Sequence, residues 1–333
     1  MMKDLTKLRW AVVGIAGVAA ALVIAGCQPS DSTSSENWPS RSIALICPWG
    51  EGGGTDRLSR FMATELEKRL GKPVVVQNRT GGGGAIGHSF GANAKADGHT
   101  LTMGTFELST MHWMGISDLT WTNFTALAQL NGDPAALLVH KDSPIKSVAQ
   151  LIETIRDSSG ENRLKFSGTA TGGAWDLARA GWLLSADLDV NSVIWVPTDG
   201  SKESILKLLG QHIDVVCCSL PEADANLKSG DLVALGVMSD ERLEDYPDVP
   251  TLREMDYSWS AVGWRGLLLP LDTPDEIRQK LEDTIKEITA SQEFKDFMSK
   301  NKFAVAVRFG SEFETFLEAQ DNLWKDPIEK AGL

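Results

Sequence analysis

Three glycine-rich stretches hold the residues best suited to chemistry in this chain: Trp49-Gly50-Glu51-Gly52-Gly53-Gly54-Thr55-Asp56, Thr80-Gly81-Gly82-Gly83-Gly84-Ala85-Ile86-Gly87 and Ser167-Gly168-Thr169-Ala170-Thr171-Gly172-Gly173-Ala174-Trp175. Each follows a short apolar run and precedes an amphipathic one. Each therefore joins the carboxyl end of a strand to the amino end of a helix, where free backbone N–H groups and the positive end of the helix dipole face a ligand. Glycine lets the backbone approach that ligand closely and take positive φ. The chemistry expected of such loops is binding by main-chain donors, and three of them in one chain argue for a site built that way.

Two sharper motifs overlap the second loop. Gly82-Gly83-Gly84-Ala85-Ile86-Gly87 satisfies G-x-G-x-x-G, the dinucleotide fingerprint, but it lies in the second strand–helix unit and in a chain with an export signal. Gly87-His88-Ser89-Phe90-Gly91 satisfies G-x-S-x-G. A nucleophile elbow needs a strand immediately before it, whereas a glycine run comes first here and the motif falls inside a helix. An exported serine hydrolase with Ser89 as nucleophile is thus the weaker, enzymatic alternative, and no catalytic residue is assigned. His88, His99, His112, His140 and His212 show no metal-ligand spacing, and no Gly-Lys-Ser or Gly-Lys-Thr occurs. No metal and no cofactor is expected.

The elements that must position these loops alternate almost from end to end. Strands are predicted at Ile43–Cys47, Val74–Gln77, Leu101–Gly104, Ala135–Val139, Leu164–Ser167, Val193–Val196, Val215–Cys218 and Leu232–Val237. Helices are predicted at Asp56–Leu70, Ile86–Ala96, Val148–Asp157 after the cap-like Ser147, Trp175–Ser185, Lys202–Gly210 and Asp275–Ala290, with two more beyond. Such alternation implies an α/β fold of mainly parallel sheets flanked by helices, and 333 residues fit about two units. Apolar residues are 42% and charged residues 23%, ordinary for a globular chain. The formal charge of −13 argues against a nucleic-acid partner, which needs a basic face.

Residues 1–26 read as an address. Lys3, Lys7 and Arg9 precede the uncharged run Trp10–Ala25, which is short for a membrane span but suits a signal peptide. The run ends in Ile24-Ala25-Gly26-Cys27, like the lipobox of bacterial lipoproteins, so Cys27 is the expected lipidation site. The polar, Ser-rich stretch that follows, within residues 27–38, reads as a flexible tether. Cys47, Cys217 and Cys218 all sit in apolar runs, which favours buried free thiols over a disulfide framework.

From Trp38 to the C-terminus the chain resembles the solute-binding subunits of tripartite tricarboxylate transporters, the Bug or TctC family. The marks are Trp38-Pro39-Ser40-Arg41, Cys47-Pro48-Trp49 with Gly52-Gly53-Gly54-Thr55-Asp56, and Pro73-Val74-Val75-Val76-Gln77-Asn78-Arg79 before the second glycine run. They continue through Ala96-Asp97-Gly98-His99-Thr100-Leu101, Ser143-Pro144, Leu209-Gly210-Gln211-His212-Ile213-Asp214, Pro247-Asp248-Val249-Pro250-Thr251 and Trp264-Arg265-Gly266.

The resemblance implies a two-lobed periplasmic-binding-protein fold of type II kind. Lobe I would be residues 39–139 and 267–333, lobe II residues 140–266, with crossings near Leu138–Ser143 and Gly263–Pro270. The lobes would close on a small organic carboxylate and deliver it to the large and small membrane subunits of a transporter. Carried over residue by residue, the ligand-binding candidates are Trp49, Gly52, Gly53, Gly54 and Asp56, then Gly83, Gly84 and Ala85, then Thr105 and Phe106. The second lobe would add Ser167, Thr169, Thr171, Gly172 and Gly173, with Asp199 and Gly200. For Asp56 a helix cap stands beside ligand contact. Glu51, Glu107 and Asp199 depart from the family pattern and would repel a carboxylate unless protonated or turned away. Trp49, Trp113, Trp175 and Trp264 could wall a ring, a cation or a sugar face, so a neutral or cationic ring-containing solute is the alternative.

Overall fold

β1 (Ile43–Cys47) is five apolar residues with no polar face. That composition suits an inner strand covered on both sides, and β1 lies between β2 (Val74–Asn78) and β3 (Thr100–Thr105), parallel to both. The computed structural model describes residues 37–332. The leader, Cys27 and residues 27–36 of the expected tether lie outside the described residues.

A second parallel run is formed by β5 (Lys165–Ser167) between β6 (Ile194–Val196) and β7 (Val215–Ser219). Two long strands connect the runs. β4 (Phe124–His140) and β9 (Val262–Pro270) pair antiparallel, and β9 pairs antiparallel with β3. The far end of β4, Ala135–Val139, pairs antiparallel with β7, and β8 (Leu232–Val237) and β10 (Val305–Phe309) also pair with β4. The order is β2-β1-β3-β9-β4-β7-β5-β6.

The fold is the α/β arrangement that the alternation implies, but the pairing is mixed: parallel within each three-strand run and antiparallel wherever β4 and β9 take part. The sequence reading missed the first half of β4, all of β9 and β10, and helix α6 (Leu220–Lys228). The reason is local. Asn131-Gly132-Asp133-Pro134 has turn composition, yet Asn131 and Asp133 are at most 1% exposed and lie mid-strand: Arg265 and the Ala304 N–H, both distant in sequence, satisfy Asp133, which in turn accepts from Asn131.

Helices cover both strand runs. α1 (Gly54–Leu70) buries Leu58, Met62 and Leu66 against β1, and α7 (Asp275–Ala290) buries Ile277, Leu281, Ile285 and Ile288 in the same core. Each such side chain contributes about 1.5–3 kcal/mol of transfer free energy. α3 (Val148–Asp157), α4 (Ala174–Ser185), α5 (Ser201–Leu209) and α6 pack with β5–β8 in the other large core. α2 (Ala85–Ala92), α8 (Gln292–Asn301) and α9 (Gly310–Ala331) complete the set, α2 stopping at Asn93 rather than reaching Ala96. Cys47, Cys217 and Cys218 are buried free thiols, and burial pushes Cys47 up to about 11.

Candidate functional site

Two loops with one design, one from each parallel run, begin the site. After β1 the chain reaches Gly52 at φ +80°, then Gly53 in extended geometry, then α1. After β5 it reaches Gly172 at φ +74°, then extended Gly173, then α4. Positive φ explains glycine at the first position, and the helix itself supplies the lock on each loop. Asp56 Oδ2 accepts the Gly52 N–H at 2.8 Å, and Asp176 Oδ2 accepts the Gly172 N–H at 3.0 Å.

Both carboxylates are buried and each has an arginine from its own helix. Arg60 pairs with Asp56 at 2.9 Å, and Arg179 pairs with Asp176. Asn78 adds a 2.8 Å bond to Asp56 and a 2.9 Å bond to the Trp49 carbonyl, tying β2 to the first loop. Burial alone would raise the Asp56 pKa, but the hydrogen bonds from Arg60, the Gly52 N–H and Asn78 hold it below the ordinary value.

These loops open on a cavity of about 300 Å³. The amino ends of α1, α4 and α5 reach its wall through Gly54 and Thr55, Ala174 and Trp175, and Ser201 and Lys202. All three helices are capped by glycine (Gly53, Gly173, Gly200), and none of these caps has a side-chain hydrogen bond. First-turn N–H groups left without intrahelical partners carry partial positive charge and suit an anion.

Arg265 closes one side. The β3–β9 register sets it beside Thr105, and the β4–β9 register sets it beside Asn131. Its Nε donates to Thr55 Oγ1 at 2.9 Å, its Nη1 to Asp133 Oδ2 at 2.8 Å and its Nη2 to Glu222 Oε1 at 3.2 Å. One cation thus joins α1, β4 and α6. Burial pushes Asp133 up in spite of Arg265.

The opposite chemistry comes from Glu107. Trp49 Nε1 donates to Thr105 Oγ1 at 3.2 Å, Thr105 hydrogen bonds Glu107 Oε2, and Glu107 Oε1 accepts the Ala174 N–H at 2.9 Å. The carboxyl therefore takes one of the free donors at the amino end of α4. Burial raises its pKa, against the Thr105 and Ala174 hydrogen bonds that favour the charged form. Behind it, His88 Nε2 accepts the Thr105 N–H at 3.3 Å, so Nδ1 carries the proton donated to the Gly84 carbonyl at 2.9 Å. Burial lowers this imidazole to about 4, which keeps it neutral.

Of the sequence candidates, Trp49, Gly53, Gly54, Thr105, Phe106, Thr169, Asp199 and Gly200 line the cavity. Asp56 does not; it faces back into its own loop as the lock on Gly52. Gly52, Gly172 and Gly173 shape loops without lining the cavity, and Gly173 bonds the Ala170 carbonyl. Ser167 is buried between the Val196 carbonyl at 2.6 Å and Ser204 at 2.8 Å. Thr171 is exposed, and Gly83, Gly84 and Ala85 form the turn that starts α2, apart from the cavity. The α5 and α6 contributions (Ser201, Lys202, Leu206, Glu222) and Arg265 went unassigned in the sequence. Ser219-Leu220-Pro221-Glu222 has the Ser-x-x-Glu spacing of a helix start, which was the available signal for Glu222. Of the four tryptophans, Trp49, Trp175 and Trp264 line the cavity, while Trp113 bonds the Asp321 carbonyl elsewhere.

Ser89 sits inside α2, preceded by a short helical turn rather than a strand, and both ring nitrogens of the adjacent His88 are engaged. That is not the geometry of a nucleophile elbow. Among the described residues no group of three or more His, Cys, Asp or Glu is placed to hold a metal ion. Among the same residues no helix is long and apolar enough to cross a membrane.

The profile of the tripartite tricarboxylate transporter family receptor, TctC, matches residues 58–333. The chain belongs to this family. Members of this family are periplasmic solute-binding proteins. The receptor is 28% identical to protein BugT of Bordetella pertussis, over 99% of this chain and 98% of that one. It is 31% identical to a TctC solute binding protein from Polaromonas, covering 88% of this chain and 99% of the other, with a TM-score of 0.65. A structure from R. palustris with adipate is 26% identical over 89% of this chain and 98% of its own, with a TM-score of 0.81.

Proposed function

We propose that the receptor captures a small organic carboxylate in the cavity between α1, α4 and α5 and hands it to the membrane subunits of a tripartite transporter. The observation that carries this is the convergence of three glycine-capped helix amino ends, with Arg265, on one cavity. A carboxylate there would meet several oriented donors at once. The R. palustris relative described with adipate supports the ligand class. The two parallel runs act as the cores of two lobes, residues 39–139 with 267–333 and residues 140–266. β4 and β9 carry the crossings, and closure follows when a solute touches both lobes. Cys27 is the lipid anchor of the mature chain in the cell envelope.

A ring-bearing neutral or cationic solute is the second reading. It is favoured by the indoles of Trp49, Trp175 and Trp264 and by the carboxyl groups of the lining. One experiment separates the two: thermal unfolding of the chain from Cys27 onward, carrying Cys27→Ser, against organic acids, amines, amino acids and sugars. A ligand at 100 times its Kd adds about 2.7 kcal/mol, close to 4 °C for a chain of this size. A shift with organic acids alone supports the first reading. A shift with sugars or amines alone overturns it.

A further inference from the structure

The cavity already contains an internal carboxyl at one of its three helix ends. Glu107 bonds the Ala174 N–H at 2.9 Å and Thr105 Oγ1, and it is 3% exposed. Both partners donate to it, so the group sits as an acceptor where a solute carboxylate would otherwise dock. The amino ends of α1 and α5 are different. Neither glycine cap is covered by a side chain, and the two ends touch: Gly50 N–H bonds the Asp199 carbonyl at 3.2 Å, and Lys202 Nζ bonds the Glu51 carbonyl at 3.3 Å. The one buried cation of the wall, Arg265, is shared between two carboxylates, Asp133 and Glu222.

We propose that Glu107 is a specificity-determining residue that restricts the site to solutes with a single carboxylate, bound at the α1 and α5 ends, and rejects dicarboxylates. A second carboxylate would have to displace Glu107 from the Ala174 N–H or lie against its oxygens, where Thr105 and the Ala174 N–H are already engaged and, once Glu107 is ionised, like charges repel. The indoles of Trp49, Trp175 and Trp264, with Phe106 and Leu206, supply the apolar part of the wall, so the body of the solute is apolar or aromatic. This inference rests on the carboxylate reading above and narrows it.

The test uses matched acids that differ only in the second carboxylate: straight-chain monoacids and diacids of two to eight carbons, hexanoate and adipate among them, with benzoate and terephthalate. Calorimetric titration would be run on the wild-type chain and on the Glu107→Gln and Glu107→Ser variants, each first shown to melt cooperatively. Glu107→Gln keeps the shape and removes the charge; Glu107→Ser also frees the Ala174 N–H. The expected result is at least a tenfold wild-type preference for the monoacid of the best-bound pair, shrinking in the Gln variant and lost or reversed in the Ser variant. A wild-type chain that binds the diacid as tightly as its monoacid overturns the proposal while leaving the carboxylate reading intact. A wild-type preference that both variants retain removes Glu107 from the role. Binding of no acid in the panel refutes the carboxylate reading, and this inference with it.

Discussion

Replacing Arg265 by Met tests whether the wall of the cavity is held by charge. The guanidinium is 4% exposed and bonds Thr55, Asp133 and Glu222, whose two carboxylates are 1% and 6% exposed as side chains. Methionine matches the apolar stem but leaves both carboxylates without their shared cation. Breaking a buried pair by removing one partner costs about 3–5 kcal/mol. The lower end applies here, because Asp133 keeps bonds from Asn131 at 2.7 Å and from the Ala304 N–H at 2.9 Å. With roughly 2.1 cal/mol/K of unfolding entropy per residue, a chain of this size loses about 1.4 °C per kcal/mol, so a cost near 3 kcal/mol should lower Tm by about 4 °C. Adding Asp133→Asn to Arg265→Met should recover 1 kcal/mol or more, roughly, because it removes the stranded charge. Differential scanning calorimetry of the two single variants and the double variant reads both quantities. An Arg265→Met variant melting within about 1 °C of wild type, or strict additivity with Asp133→Asn, would refute the view of Arg265 as the ionic hub.

Further outcomes follow from the same geometry. Asp56→Ala strands the Gly52 N–H and Asn78, so it should cost about 2–4 kcal/mol in urea unfolding and weaken solute binding, although Asp56 does not line the cavity; unchanged stability would show that the first loop holds itself. Gly168→Ala would put a Cβ 2.2 Å from the Cys217 carbonyl oxygen and 2.7 Å from Trp175 Cβ. Backbone cannot swing aside, so a loss of 1–3 kcal/mol, roughly, or more is expected by the same measurement. The Glu107 carboxyl has a raised pKa, so the native state holds a proton that the unfolded chain has released above about 4.5. Stability from this group is therefore lost as pH rises above the ordinary Glu value of about 4.5 and through the raised folded value, so the Tm of wild type should fall relative to Glu107→Gln as pH rises from there. A flat difference between the two melting curves would place Glu107 at its ordinary value. His88 works the other way: protonation at acid pH is opposed by its burial, so native stability linked to it is lost as pH falls from about 6.5 toward about 4, and His88→Gln should flatten that part of the acid limb.

What the amino-acid sequence determined by itself was everything carried by short-range pattern. The apolar runs of β1, β6, β7 and β8, the helical periodicity of α1, α3 and α7, and the glycines that begin α1 and α4 are all local choices, and they already place strand ends and helix starts together. Tertiary structure alone decided how polar residues are used. Asn131 and Asp133 read as turn residues until Arg265, 132 positions from Asp133, makes a strand possible there. Asp56 could cap a helix or touch a solute until Gly52 and Asn78 claim its oxygens. Glu107 reads as a stray acid near the site until the amino end of α4, 67 residues on, supplies its donor. A carboxyl or guanidinium has several good partners in sequence and only a few in space, and burial makes the choice among them costly to get wrong.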